Sequence, residues 1–383
     1  MIEAYLQGAI GQARERTRAL RSIVQRPGYA REYDGLRQIC LTHLEQADAN
    51  LSALAGERIV DSALQTPIRI RTFKRAVELL NTIEGVGVFA LNRKSADDDF
   101  LNRLITDICQ EIAYPLVTPA ISQMSQDYFH IYPEFNLLCL PLIESRFLLH
   151  LPDIYHELCH PLHRPRNLDM PELEAYKSAY TSSLFAMVSH FQGAVTAADR
   201  LRHQDARIYQ LQLWQTCWAK YWMEEFFCDL FGVLTAGPAF AWSHYHLCIK
   251  RGGDPFATPE MFETTHPADD ARMRALLTAL RSTNAYAQEA ATIDKAWKEF
   301  VTTMGYRPSP EYLNCYSDRL IATVVACATT GVEGIGVRLA APNTKAPVRE
   351  LLNEAWTAFW SAPASYQAWE ITRMGDIRSS FAA

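Results

Sequence analysis

His156-Glu157-Leu158-Cys159-His160 spells H-E-x-x-H, a spacing that packing alone does not require. On a helix, positions i and i+4 share one face about 5–6 Å apart, which lets two neutral imidazoles close on one Zn²⁺ at roughly 2.0–2.1 Å each. Glu157 then lies beside the cation, where a carboxylate can take the proton of a bound water whose pKa the metal lowers toward about 7. The stretch therefore predicts a helix in a mainly α chain. Pro161 follows at once. A proline inside a helix removes a hydrogen bond and clashes with the carbonyl four residues earlier, and it biases the preceding residue away from helical angles. The motif helix is expected to be short, with His160 at its end or at a kink.

Two histidines do not complete a catalytic zinc site, which needs a third protein ligand and a fourth position left for water. Glycine at 163 and histidine at 166 would extend the same stretch into such a site, but the chain has His163 and Arg166. Met223-Glu224-Glu225-Phe226-Phe227-Cys228-Asp229 offers E-x-x-x-D some 65 residues after His160. Glu225 and Asp229 fall on one helical face, so Glu225 reads as a metal ligand. Asp229 reads as the acceptor of a ligand histidine's outer N–H, fixing its tautomer and basicity. Glu224 would place Asp229 five positions on, a poorer alignment. Thr265-His266-Pro267 and Arg272 then bring an imidazole and a guanidinium able to steady the oxyanion of a tetrahedral intermediate.

In this order the three motifs resemble those of the gluzincin metallopeptidases, particularly the branch that includes the CAAX prenyl proteases and the heat-shock membrane proteases. The resemblance spans His156 to Arg272, about a third of the chain, and does not extend to the flanking helices. It implies a zincin-like helical core, a Zn²⁺ cofactor held by His156, His160 and Glu225, and Glu157 as general base and acid. It also implies Asp229 behind a ligand, His266 and Arg272 in support, and a peptide or protein substrate. The chain departs from the pattern in its lack of evident membrane spans, in Cys159 where glycine is common, and in Pro161.

Around this core, helical periodicity predicts an N-terminal helical region over 1–130 and a C-terminal one over 291–383, with the metal-binding core at 131–290. Ser95 to Asp98 carries a capping signal for a helix whose apolar face is Leu101, Leu104, Ile105, Ile108 and Ile112. Leu137 to Leu140 suits one buried strand of a small sheet, and Gly85-Val86-Gly87 reads as a turn. Residues 206–234 look like one long helix whose Trp214, Trp218, Trp222, Phe226 and Phe227 belong in a core rather than a substrate groove. Cys159 and Cys228 read as small core hydrophobes, and His163, His244 and His246 as surface or core histidines.

The chain of 383 residues is 49% hydrophobic and 21% charged, ordinary values for a globular protein. Its net charge of −6 argues against a nucleic-acid partner, which requires a concentrated basic surface. Arg69, Arg71, Lys74 and Arg75 read as a solvated helix face. Nine scattered cysteines without a C-x-x-C pair suggest reduced thiols and a cytoplasmic location. The amino terminus lacks a secretion signal, and no apolar run reaches the length of a membrane span. Two rival readings remain. One is a catalytically silent, zinc-stabilised module whose helical flanks bind a protein partner; the other is a metal-free helical scaffold. A hydrolase of non-peptide amides is a variant of the enzyme reading.

Overall fold

The protein is mainly α, with one small sheet. The computed structural model describes residues 2–56, 65–125, 128–201, 205–283, 285–342 and 344–382. Two compact units divide the chain: Met1–Thr106 with Val117–Leu142, and Asp107–Leu116 with Ile143–Ala383.

The first unit opens with α1 (Ile2–Val24), α2 (Asp34–Gly56), α3 (Gln65–Thr82) and α4 (Phe89–Asn92). In α2, Leu36, Cys40, Leu44, Ala47, Leu51 and Leu54 are buried, a stripe at three- and four-residue spacing. They share one core with Leu6, Ile10, Leu20 and Val24 of α1. Gly85-Val86-Gly87 does not form the expected turn: it lies in a π-helical segment, Ile83–Val88, that continues α3 into α4. Gly87 is there for clearance, since a Cβ on it would come within 2.5 Å of Cys40 Sγ and 3.0 Å of the Phe135 ring. Arg71, Lys74 and Arg75 are solvated as expected. Arg69 is not, being only 2% exposed and donating to the Leu54 carbonyl that ends α2.

Helix α5 (Ala96–Glu111) starts with a reciprocal cap: Ser95 Oγ accepts from Asp98 N at 3.1 Å, and the Asp98 carboxylate accepts from Ser95 N at 2.8 Å. The same carboxylate accepts from Gln123 N, and Asn102 both donates to Ile121 O and accepts from Ile121 N. These side chains close the outer edge of β1 (Ala120–Ser125), so that edge is not open to an added strand. The sheet also contains β2 (His130–Tyr132) and β3 (Leu137–Pro141), in the order β1-β3-β2, with β3 parallel to β1 and antiparallel to β2. Leu137 to Leu140 are fully buried, as a continuous apolar run in a central strand must be.

The second unit holds the motif residues. It contains α6 (Asp153–Glu157), a 3₁₀ turn at His160–His163, α7 (Pro165–Leu168), α8 (Glu174–Arg200), α9 (Asp205–Cys217), α10 (Met223–Ala236), α11 (Pro238–Arg251) and α12 (Asp269–Ser282). The remaining helices are α13 (Ala287–Thr303), α14 (Pro310–Cys315), α15 (Asp318–Gly334), α16 (Pro347–Ser361) and α17 (Tyr366–Ala382). Helix α10 is the centre of this unit: every residue from Phe226 to Ala236 is buried, with α6, α12 and α15 packed around it. It stops at Gly237, whose φ of +76° suits glycine, and Pro238 opens α11. The single helix expected over 206–234 is continuous but changes pitch, passing through a π-helical turn at Trp218–Trp222. Trp214, Trp218, Trp222, Phe226 and Phe227 are all core residues. Among the described residues no helix is long and apolar enough to cross a membrane.

Gly87→Ala is expected to lower unfolding stability by about 1–3 kcal/mol through overpacking, read as an earlier denaturant midpoint. An unchanged midpoint would show that the Cys40 and Phe135 side chains yield without cost.

Candidate metal centre

Helix α6 is only five residues long, and Pro161 explains why. Leu158 N still bonds Ile154 O, but Cys159 N turns to His156 O at 3.0 Å and Leu162 N to Cys159 O, tightening the chain into the 3₁₀ turn that begins at His160. The two motif imidazoles nevertheless stay on one side, their ring centroids 5.1 Å apart.

Each imidazole is oriented by a carboxylate from α10. His156 Nδ1 lies 3.0 Å from Asp229 Oδ1, and His160 Nδ1 lies 2.9 Å from Glu224 Oε1. An ionised carboxylate only accepts, so both Nδ1 atoms donate, and in the neutral rings it is the Nε2 atoms that offer the lone pair a metal would take. The bond to Asp229 is the one expected from E-x-x-x-D. The bond to Glu224 is not: spacing ranks that residue only as a poorer substitute for Glu225, although the Glu-Glu pair places carboxylates on adjacent faces of one helix.

Glu225 points between two imidazoles, its Oε2 lying 3.6 Å from His156 Nε2 and 3.6 Å from His266 Nε2. That oxygen is buried and accepts no hydrogen bond. An acceptor stranded in this way costs free energy, and a cation between it and the imidazoles relieves the cost. Two imidazole nitrogens and a carboxylate oxygen form a donor set suited to zinc.

Charge in the pocket points the same way. Burial disfavours the protonated form of His160, yet the Glu224 hydrogen bond and the fields of Glu157, Glu225 and Glu224 push its pKa up to about 10. For His156, burial is likewise outweighed by Asp229, Glu225 and Glu157, and its pKa is raised. Glu157 is thus near enough to act on both rings, and it is itself largely buried. The surplus of negative charge favours a positive charge here, whether protons or a metal ion.

Arg272 sits elsewhere than expected. Its Nε and Nη2 donate to Asp229 Oδ2 and Oδ1, both at 2.6 Å, and it is 6% exposed while Asp229 is completely buried. Burial alone would raise the pKa of Asp229, but Arg272 dominates and holds the carboxyl well below its usual range. The guanidinium is therefore committed to Asp229 and does not face a reacting carbonyl. His266 does lie at the mouth, its side chain 56% exposed. Burial of the ring, the largest influence, helps lower its pKa, so it remains a neutral imidazole.

The loop that carries His266 is held by two indoles of the aromatic helix and by Tyr316, which follows α14. Trp214 Nε1 donates to Pro259 O, Trp222 Nε1 to Thr264 O, and the Tyr316 hydroxyl accepts from Ala268 N. Hydrophobicity alone identifies these rings as core; their polar tips, which fix the loop, leave no signal in spacing. Among the described residues, three groups have ligand-type atoms within 4.8 Å of one another: His156, His160 and Cys228; Cys159, His163 and Cys228; and His244, Cys248 and Asp269. In the last of these, Asp269 is already paired with Arg251. The expected trio of His156, His160 and Glu225 is not one of the three, Glu225 lying beside His156 and His266 instead. Comparisons with known proteins found no matching protein-family model, no similar curated protein and no similar solved structure.

Arg272→Met removes the cation that pairs with the buried Asp229 carboxylate, and is expected to cost about 3–5 kcal/mol of unfolding free energy in denaturant titration. Arg272→Lys, which cannot make the two-pronged contact, should fall between the two.

Proposed function

We propose that this chain is a zinc-dependent peptidase of the gluzincin type. The observation that carries the reading is the buried, unbonded Glu225 Oε2 beside His156, with the Nδ1 atoms of both motif histidines engaged behind it. In this reading His156, His160 and Glu225 hold the ion. A zinc ion so bound supplies Lewis acidity toward the scissile carbonyl and lowers the pKa of a bound water to about 7.

The chain's own groups do the rest. Glu157 takes the proton from the attacking water and returns it to the departing amine nitrogen. His266, neutral and half open to solvent, donates an N–H to the oxygen that gains charge. Asp229 and Glu224 keep the two imidazoles in the metal-binding tautomer, and Arg272 keeps Asp229 in place. In this reading the substrate approaches from the His266 side, since that imidazole is exposed while Asp229 and Arg272 are buried.

A second reading rests on the 3.6 Å approach of His266 Nε2 to Glu225 Oε2. If His266 is a fourth ligand, the site is closed and the protein is a zinc-stabilised interaction module. His266→Ala separates the two readings, since cleavage falls if the imidazole steadies an oxyanion and appears only in the variant if the imidazole blocks the site.

Glu157→Gln is expected to retain one zinc per chain by elemental analysis while cleavage of a quenched-fluorescent peptide library falls about 10²–10⁴-fold. Full activity in that variant would refute the mechanism. His160→Ala is expected to lose the metal along with the activity.

A further inference from the structure

On the other side of His160 is a cluster that the peptidase reading does not use. Cys159 Sγ, Cys228 Sγ and a ring nitrogen of His163 all lie within 4.8 Å of one another. Cys159 Sγ is 3.8 Å from His163 Nε2 and 3.0 Å from the Tyr176 hydroxyl, which is itself 2.9 Å from His163 Nε2. His163 Nδ1 is buried and has no hydrogen-bond partner. Cys159, Cys228 and Tyr176 are fully buried. The rings of Tyr180 and Phe227 close around His163.

We propose that Cys159, Cys228 and His163 form a second metal site, one for a thiophilic cation such as Zn²⁺, with the Tyr176 hydroxyl beside it. Two sulfurs and a nitrogen are the donors that zinc and other soft ions select, whereas the neighbouring His156, His160 and Glu225 set is harder. The spacing is suitable: with Zn–S near 2.3 Å and Zn–N near 2.0–2.1 Å, ligand atoms of a tetrahedral site lie roughly 3.5 Å apart, a few tenths of an ångström from the 3.8 Å between Cys159 Sγ and His163 Nε2. The charge balances as well. A divalent ion displaces one proton from each thiol to solvent and leaves two thiolates, a neutral imidazole and no net charge, which a buried site tolerates.

The elements involved suggest what the ion does there. Cys159 and His163 bracket the 3₁₀ turn forced by Pro161, and Cys228 belongs to α10, its Sγ 3.5 Å from His160 Nδ1. An ion at this point ties the turn that carries His160 to the helix that carries Glu224 and Glu225. The proposal stands on side chains different from those of the peptidase reading, so either can fail alone.

Cobalt(II) titration of the metal-stripped full chain tests it. The expected result is two equivalents bound, one of which brings a sulfur-to-cobalt charge-transfer band in the near ultraviolet. Cys159→Ser/Cys228→Ser is expected to keep one equivalent and lose the band, while His156→Ala/Glu225→Ala keeps one equivalent with the band. The last result would hold even if the native chain bound a single equivalent with the band, in which case the peptidase site alone would have failed. Far-ultraviolet circular dichroism verifies folding, and Cys159→Ala and Cys228→Ala replace any serine variant that unfolds. The proposal is overturned if the native chain shows no band, or if mass spectrometry of the purified chain finds Cys159 and Cys228 joined as a disulfide. It is also overturned if Cys159→Ser keeps the full band while Cys228→Ser abolishes it, since Cys228 would then serve the His156 and His160 pair.

Discussion

Asp229 carries a charge in a place with no access to water, and the arrangement of the centre follows from how that charge is neutralised. A carboxylate buried without compensation is costly enough to protonate instead. Here the two-pronged contact with Arg272 of α12 keeps it ionised. In that state both of its oxygens only accept, so it takes the Nδ1–H of His156 and leaves the other nitrogen of the neutral ring to bind. The ion pair thus links three helices, α6, α10 and α12, through one carboxylate. A buried pair of this kind is weak evidence for net stability; its contribution here is to fix a tautomer and an angle.

Around that point α10 distributes four polar side chains over one and a half turns. Glu224 holds His160, Glu225 lies between His156 and His266, Cys228 turns toward Cys159, and Asp229 accepts from His156. A π-helical turn immediately precedes them. The extra residue in such a turn rotates the α10 face relative to the face of α9. The indoles of Trp214 and Trp222 before and within that turn donate to the loop that brings His266, while the carboxylates after it serve the imidazoles. The aromatic helix is therefore both core and scaffold for the site's mouth.

Much of this architecture is legible in the chain. The helices follow from apolar spacing, the start of α5 from its capping residues, the central strand from four consecutive apolar residues, and the short α6 from Pro161. That Asp229 would serve one of the motif histidines is also legible, because an i,i+4 spacing places groups on one helical face wherever that helix goes; that the ring is His156 is not. Gly87 shows the limit. Its sequence neighbourhood reads as a turn, yet the residue lies in a helical segment, and the reason it is glycine is the Cys40 side chain, far away in the chain, which fills the space of its missing side chain.

The amino-acid order by itself determined which groups would be presented together: two imidazoles with a carboxylate between them, and further carboxylates on a second helix. Which partner each group would face was left to the packing of distant elements. Arg272 turned inward because Asp229 was the nearest uncompensated charge, Glu224 reached His160 because the 3₁₀ turn brought that ring down to α10, and two scattered cysteines met beside His163. Spacing along a chain specifies a direction on one helix, but a contact requires the crossing of two, and that crossing is set by the whole core.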